Sequence, residues 1–265
     1  MKSATSRLTY LPQSSSQIVT RKGVRWLAAV TDETCDCQDF QFGAATLDPG
    51  HTSTITPDTD ITESDHEVVM MVTAGNPTVE TPNTERILKQ HDCVFVPPNA
   101  ECRLSNDDKE AAEFLWGVAT NKKPTLLEGD HPFDHGGSAQ VVQTYHDLDP
   151  SVTLEPGSTL RHWACIFPET VGSRRLNLGL FQRPPGSAIS MHGHDPDTIT
   201  EAFTVLEGRL SISGPESGPY VLEPGDFLYV PEGGCHNNKN VGSGIVTYAC
   251  LETPARSSKV SPVDE

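Results

Sequence analysis

The chain carries one plan twice. Shifted by 134 residues, DCVFVPPNAECRLSN (92–106) lies on DFLYVPEGGCHNNKN (226–240) without a gap, so that Pro97 falls on Pro231, Asn106 on Asn240 and Glu67 on Glu201. A repeat of this period is one structural unit used in tandem, so whatever fold the first half adopts, the second adopts too. The 265 residues give each copy enough chain for a small core of its own.

The texture of both halves is that of short strands. Runs at 24–31, 40–50, 67–75, 84–98 and 111–120 combine alternation with β-branched residues, and so do runs at 160–168, 175–186, 201–214, 220–233 and 244–252. Gly and Pro break them about every 8–12 residues, in keeping with 21 glycines and 21 prolines. An all-β chain of antiparallel sandwiches or barrels follows. Only residues 107–114 could pass for a helix in the first half, with a short one near 146–154 in the second. The organisation reads as a loose, Ser/Thr/Gln-rich arm over 1–20, a first barrel over 21–120 and a Pro-, Gly-, Asp- and His-rich connector over 121–158. A second barrel over 159–254 and a polar tail over 255–265 complete it.

Charge excludes some partners. The formal net charge of −17 repels nucleic acid and anionic membrane surfaces, so neither is expected as a partner. No run approaches the roughly 18 apolar residues of a membrane span, and the start, MKSATSRLTYLPQSSSQ, lacks the apolar core of a secretory signal. A cytoplasmic protein is the expectation. The seven cysteines are odd in number and irregular in spacing, and Cys35-x-Cys37 is too tight for a zinc knuckle, so reduced thiols packed as small hydrophobes are expected. Cys235 differs in directly preceding a candidate ligand.

The chemistry concentrates between Gly186 and Asn240. His192 and His194 are two apart and point to one side of an extended strand. Glu201 opens the next strand, EAFTVLEG, and His236 follows a Gly-Asp turn and a further strand. A barrel that receives all four has a pocket for one divalent metal: Fe(II), Mn(II), Ni(II), Co(II) or Zn(II), with positions open for substrate or water.

These residues are similar to the two motifs of the cupin superfamily. The first, G-x5-H-x-H-x3,4-E-x6-G, is met by Gly186, His192, His194, Glu201 and Gly208, except that six residues (DPDTIT) separate His194 from Glu201, which makes Asp197 a minor rival ligand. The second, G-x5-P-x-G-x2-H-x3-N, is met by Gly225, Pro231, Gly233, His236 and Asn240. The chain therefore resembles a bicupin, which implies two tandem cupin barrels, double-stranded β-helices of the jelly-roll kind. The ligand positions of the first copy fall on Asp58, Asp60, Glu67 and Cys102, the pattern of a degenerate site. His51, His66 and His91 lie nearby but out of step with the motifs.

Strand alternation offers residues around the metal. Gln182 and Arg183 precede the PPG turn, Asn177 shares their strand, and Tyr229, Asn238 and Tyr248 come from neighbouring strands. Arg183, Gln182, Tyr248 and Tyr229 are the candidate catalytic residues, with Arg183 the candidate fork for a substrate carboxylate. His162 and Trp163 are candidates for the barrel mouth.

The layout, and the run RLNLGLFQRPPGSA, resemble the (S)-ureidoglycine aminohydrolases, whose manganese ligands run Glu, His, His, Gln, whereas the order here is His192, His194, Glu201, His236. The three-His, one-Glu set is common to cupin dioxygenases, oxalate decarboxylases, isomerases and lyases. Three expectations follow. The first is an Fe(II) oxygenase-type oxidoreductase that takes a small polar, anionic substrate and O2. The second is a redox-neutral Mn, Zn or Ni enzyme (aminohydrolase, isomerase or lyase), and the third a non-catalytic binding or storage bicupin. A homodimer is expected, because the flat faces of such barrels pair.

Overall fold

A computed structural model describes residues 7–15, 17–21, 23–56, 66–120, 137–152, 160–194 and 199–257. The strands of the first half are β1 (Thr9–Leu11), β2 (Gln17–Arg21), β3 (Val24–Val30), β4 (Phe40–Leu47), β5 (Thr52–Ile55), β6 (Val68–Ala74), β7 (Thr78–Thr81), β8 (Thr84–Ile87), β9 (Cys93–Val96), β10 (Cys102–Ser105) and β11 (Ala112–Ala119). Those of the second half are β12 (Gln140–Val142), β13 (Ser151–Val152), β14 (Arg161–Ile166), β15 (Asn177–Arg183), β16 (Ala188–His192), β17 (Thr200–Glu207), β18 (Leu210–Gly214), β19 (Ser217–Leu222), β20 (Phe227–Val230), β21 (His236–Asn240) and β22 (Val246–Thr253). Single helical turns, α1 (Asp32–Cys35), α2 (Thr144–Asp147) and α3 (Pro168–Val171), punctuate them. None of these helices is long and apolar enough to cross a membrane. Residues 107–111 are not helical, and β11 takes over from Ala112.

Each half folds as a seven-stranded sheet faced by a four-stranded one. The first half has β12-β9-β6-β11-β4-β3-β2 over β5-β10-β7-β8; the second has β1-β20-β17-β22-β15-β14-β13 over β16-β21-β18-β19. The edge strands are exchanged. β1 pairs with β20 of the second barrel, Thr9 opposite Tyr229, and β12 of the connector pairs with β9 of the first, Gln140 opposite Phe95. The first twenty residues, which read as a loose arm, thus supply a strand to each barrel, because β2 pairs with β3. Covering β9 and β20 in this way removes two open sheet edges.

The large sheets pack face to face, so both of their faces are buried. One core, between the barrels, contains Phe42, Val69, Met71 and Leu115 of the first half against Leu178, Leu251, Ala202 and Phe227 of the second. Phe42 meets Phe227 edge to face at 5.3 Å between ring centroids. Each such side chain removed from water contributes roughly 1.5–3 kcal/mol. Gly117 faces this seam, and a Cβ there would come within 2.9 Å of a Leu251 methyl. Polar ties reinforce the seam. The Thr200 hydroxyl donates to Asp39 at 2.7 Å, and the buried Glu67 carboxylate accepts the backbone N–H groups of Arg174, Arg175 and Leu176 at 2.7, 2.9 and 3.2 Å.

That placement of Glu67 corrects the sequence alignment by one residue. Glu201 pairs with Val230, whereas the residue opposite Val96, the equivalent of Val230, is Val68. A slip of one residue turns a side chain to the other face of a strand. Glu67 therefore looks into the seam, and Val68 occupies the place of Glu201. Likewise His236 pairs with His192, but Cys102 pairs with Ile55, so Ile55 stands where His192 does. Asp58 and Asp60 lie outside the described residues. The interior of the first barrel is filled by Met70, Val72, Phe114, Trp116 and Val118, and among the described residues no group of metal-ligating side chains collects there.

Candidate metal centre

Strand alternation builds the site in the second barrel. On β17, Phe203 and Val205 join the interior core, whereas Ala202 joins the core between the barrels, so Glu201 points inward. On β22 the same alternation sends Tyr248 and Cys250 inward and Ala249 and Leu251 to the seam. Glu252 follows Cys250 on the inner side and is directly opposite Glu201. On β21, His236, Asn238 and Asn240 are buried in alternation with Asn237 and Lys239. His194 follows the end of β16 by two residues and still reaches the same point.

The three imidazoles each place a ring nitrogen within 4.8 Å of the others. Their ring centroids are 5.6 Å apart for His192 and His194, 4.4 Å for His192 and His236, and 5.7 Å for His194 and His236. Glu201 Oε2 lies 2.9 Å from His194 Nε2 and 3.6 Å from His236 Nδ1. His192 directs Nδ1 at the Ser190 carbonyl, 3.0 Å away, which leaves Nε2 as its ligand atom. His194 Nε2, Glu201 Oε2 and His236 Nδ1 are all buried without an aligned hydrogen bond. Close approach of buried acceptor-type atoms without aligned donors is the arrangement a shared cation satisfies. The set fits a divalent ion.

Electrostatics agree with that fit. Burial by itself would raise the Glu201 carboxyl, but His194 and His236 outweigh it and hold the group well below the usual carboxylate range. Burial pushes His236 down to about 4, so its imidazole is neutral at pH 7 and available as a ligand. His194 is the exception. Burial opposes its protonation, yet the Glu201 carboxylate outweighs burial and raises the group. A bound cation would compete with this His194–Glu201 contact.

The residues expected around the metal divide. Tyr248 lies in the interior, stacked on Phe181 at 5.1 Å and near Phe203 at 6.3 Å. Arg183 is also interior and only 1% exposed, but it pairs with Val246, six residues along β22 from Glu252. At about 3.3 Å per residue that is the far end of the barrel from Glu201. There Arg183 approaches the Ser187 hydroxyl at 3.4 Å and interacts with the Tyr248 hydroxyl. It does not serve as a fork beside the ligands.

Gln182 sits on the opposite side of β15 and reaches Thr247 Oγ1 at 3.4 Å. Tyr229 pairs with Ala202 and so faces the seam, 6.4 Å from the Phe40 ring and in contact with Cys37. Alternation removes both from the site. It also separates His162, stacked on Phe181 at 4.3 Å inside the barrel, from Trp163, which joins the seam. Asn177 and Asn238 are interior and buried, each with its side-chain oxygen unpartnered. Asp197 lies outside the described residues.

Three residues near the ligands escaped the sequence reading. Cys250, Glu252 and Glu201 form a second buried group whose ligand atoms lie within 4.8 Å of one another. Arg256 closes on Glu252 with Nε–Oε2 at 2.9 Å and Nη2–Oε1 at 3.1 Å. The two-residue rhythm of TYACLE carries the signal for Glu252, which shares a face with Tyr248. Nothing in the sequence marks Arg256, which lies in the polar tail.

Comparison with known proteins supports the same architecture. The cupin domain family matches residues 179–252. No curated protein sequence matches the chain. Among solved structures, it is similar to a Pseudomonas aeruginosa protein described as glyoxylate-induced (TM-score 0.75, 15% identity, 97% of this chain and 92% of that one). It is also similar to Ylba of E. coli (TM-score 0.71, 13% identity, 97% and 94%). A third is the oxalate decarboxylase of Lactobacillus farciminis in complex with formate (TM-score 0.69, 12% identity, 95% and 88%). At these identities the likeness is one of fold. Residues 179–252 are a cupin domain, and the chain as a whole has the two-barrel fold of the bicupins.

Proposed function

We propose that the second barrel holds one divalent metal through His192, His194, Glu201 and His236. In this reading the chain is a metal-dependent enzyme acting on a small, polar, anionic substrate, first of all an Fe(II), O2-using oxygenase. The observation that carries it is the convergence of buried ligand atoms without aligned hydrogen bonds on one point of the barrel. A metal in such a site supplies a Lewis acid and, if iron, a redox centre with positions open to substrate and O2. The protein does the rest. His236 is kept neutral by burial, Glu201 is kept ionised by the histidines, and Phe181, Phe203 and Tyr248 fill the barrel below, which restricts the substrate to a small molecule. The names of two similar structures, one glyoxylate-induced and one an oxalate decarboxylase, favour small carboxylic acids as the first substrates to try.

The test is elemental analysis of protein purified without chelators, followed by oxygen uptake with glyoxylate, oxalate and ureides. One iron per chain and substrate-dependent uptake are expected. Full turnover under strict anaerobiosis with Mn(II) or Zn(II) would replace the oxygenase with a redox-neutral aminohydrolase, isomerase or lyase. Failure to take up any divalent metal would leave a binding bicupin.

A further inference from the structure

Arg256 belongs to the segment after β22, which turns back along the second barrel and is fixed at successive points. The Thr253 hydroxyl donates to the Arg175 carbonyl at 2.8 Å, Ala255 is fully buried, and Asn177 Nδ2 donates to the carbonyl of Arg256 itself at 2.9 Å. Ser257 bonds to Glu169 beyond it. The backbone is thus held on both sides of the arginine, and the Glu252 carboxylate fixes its guanidinium through Nε and Nη2. Nη1 stays outside that ion pair. The side chain keeps 21% of its surface exposed, against 3% for Glu201, so it is not sealed in the interior as Glu201 is.

Its position is at the ligands. Asn177, Glu252 and Glu201 are successive partners across β15, β22 and β17, and Glu252 approaches Glu201 within 4.8 Å. Once a divalent ion is bound, it cancels Glu201 and Glu252, and Arg256 leaves the centre with one net positive charge. Without Arg256 the loaded centre would carry no net charge and would attract an anion less strongly. The first barrel offers an internal control. Val118 stands opposite Val68 there, as Glu252 stands opposite Glu201, so the position that holds the arginine is an acid only in the barrel that has the histidines.

We propose that Arg256 is the anion-recognition residue of the second barrel, presenting Nη1 to a carboxylate of the substrate beside the metal ligands while Glu252 fixes its orientation. This rests on the metal reading above. It moves the carboxylate fork from Arg183, at the end of the barrel far from Glu201, to a residue of the tail.

The experiment uses the full chain loaded with Co(II), whose visible bands report ligand binding at the metal. Oxalate is the anionic probe and imidazole the neutral one. Wild type is expected to take up one Co(II) per chain and bind both. Arg256→Gln should keep the cobalt, bind oxalate about tenfold or more weakly, and bind imidazole as wild type does. Arg256→Lys, which keeps the charge without the fork, should bind oxalate about threefold or more weaker than wild type and more tightly than Arg256→Gln. Oxalate binding within twofold of wild type in either variant overturns the proposal. So does an equal loss of oxalate and imidazole, the mark of a merely structural residue. If Arg256→Gln does not fold, the lysine variant decides alone. A wild type that takes up no Co(II) refutes the metal reading itself, whereas cobalt uptake with Arg256-independent oxalate binding refutes only the present inference.

Discussion

His192 faces His236 across β16 and β21; at the same place in the first barrel Ile55 faces Cys102 across β5 and β10. Glu201 and Glu252 are opposite one another in the second barrel, Val68 and Val118 in the first. Cys250 and Tyr248 correspond to Trp116 and Phe114. The backbones repeat, even to the exchanged edge strands, yet one interior sets buried polar atoms without aligned partners beside its apolar core and the other is packed with apolar side chains. A β-barrel does not need its interior polar groups in order to fold. The second barrel keeps buried imidazoles and carboxylates at a cost in desolvation that packing does not offset, and a bound cation is what would balance it.

The largest expected effect tests that contrast directly. His236→Ala or His192→Ala should reduce bound metal from one ion per chain to none, measured by elemental analysis after gel filtration. Cys102→Ala, at the equivalent place in the first barrel, should leave the metal untouched. Metal lost with Cys102 would mean that the first barrel still holds an ion and that the contrast is false.

Next comes Glu67, which is Glu201 displaced by one residue and turned around. Its carboxylate is buried, and although burial raises the group, the three N–H groups of Arg174, Arg175 and Leu176 oppose that rise. Glu67→Ala leaves the Leu176 N–H buried and the Arg174 and Arg175 N–H groups half-buried without that partner, at about 1–3 kcal/mol for a buried donor and less where water can reach, so a loss of about 3 kcal/mol is expected in urea denaturation. Metal content should not change. Glu201→Gln should do the reverse, with metal lost and the fold retained. An effect of Glu67→Ala on metal with unchanged stability would restore the alignment that superposes the two glutamates.

Much of this was legible in the sequence, and the parts that were not fail for physical reasons. The strands of the large sheets are buried on both faces, so β6, β9 and β20 read as almost continuous apolar runs, while β11, β17 and β22 carry scattered polar residues within mostly apolar stretches. The strands of the small sheets have one face in water and are short and polar. TSTI, CRLS and HNNKN look like loop until their hydrogen bonds are known. The ligands were legible because their spacing is a motif. Glu67 and Tyr229 were misplaced because a period of two fixes faces only once the register is known, and a gapless alignment of 92–106 says nothing about a one-residue shift before β6. Arg256 was invisible because a tertiary turn, not a periodic element, carries it to the barrel.

A third test uses the turn before β9 and β20. Gly225 has φ 89° and is followed by Asp226, whose Oδ2 accepts the Glu223 N–H at 3.0 Å. In the first barrel His91 takes the same left-handed place at φ 72°, followed by Asp92, whose Oδ2 accepts the Lys89 N–H at 2.9 Å. His91 Nδ1 lies 2.6 Å from the Tyr145 hydroxyl, and burial pushes the imidazole down to about 4. The unfolded chain protonates this histidine near pH 6.5, before the folded chain does, so its contribution is complete above about 6.5 and is lost as the pH falls toward about 4. Asp92, whose carboxyl is raised by burial, remains in both proteins and cancels in the comparison. Between pH 7 and pH 4, wild type should lose about 3 kcal/mol more than His91→Gly, in which the first barrel acquires the turn of the second. Equal losses would show that His91 titrates as an exposed group.

The smallest expected effect is at Tyr229. Its partner Ala202 and its contacts with Phe40 and Cys37 place it in the seam between the barrels, where burial first and Cys37 next raise its hydroxyl above the ordinary range. Tyr229→Phe keeps the ring and removes one hydrogen-bonding group, so a cost of about 1 kcal/mol or less is expected, with metal content and any turnover unchanged. Tyr248→Phe is the contrasting variant. Its hydroxyl lies inside the barrel and interacts with Arg183, so removing it leaves a buried guanidinium short of a partner it has little chance to replace. Stability is expected to fall further than at Tyr229, and a small probe bound at the metal should sense the change. If Tyr229→Phe instead altered probe binding and Tyr248→Phe did not, the two faces of the large sheet would be assigned the wrong way round, and with them the interior that sets the two barrels apart.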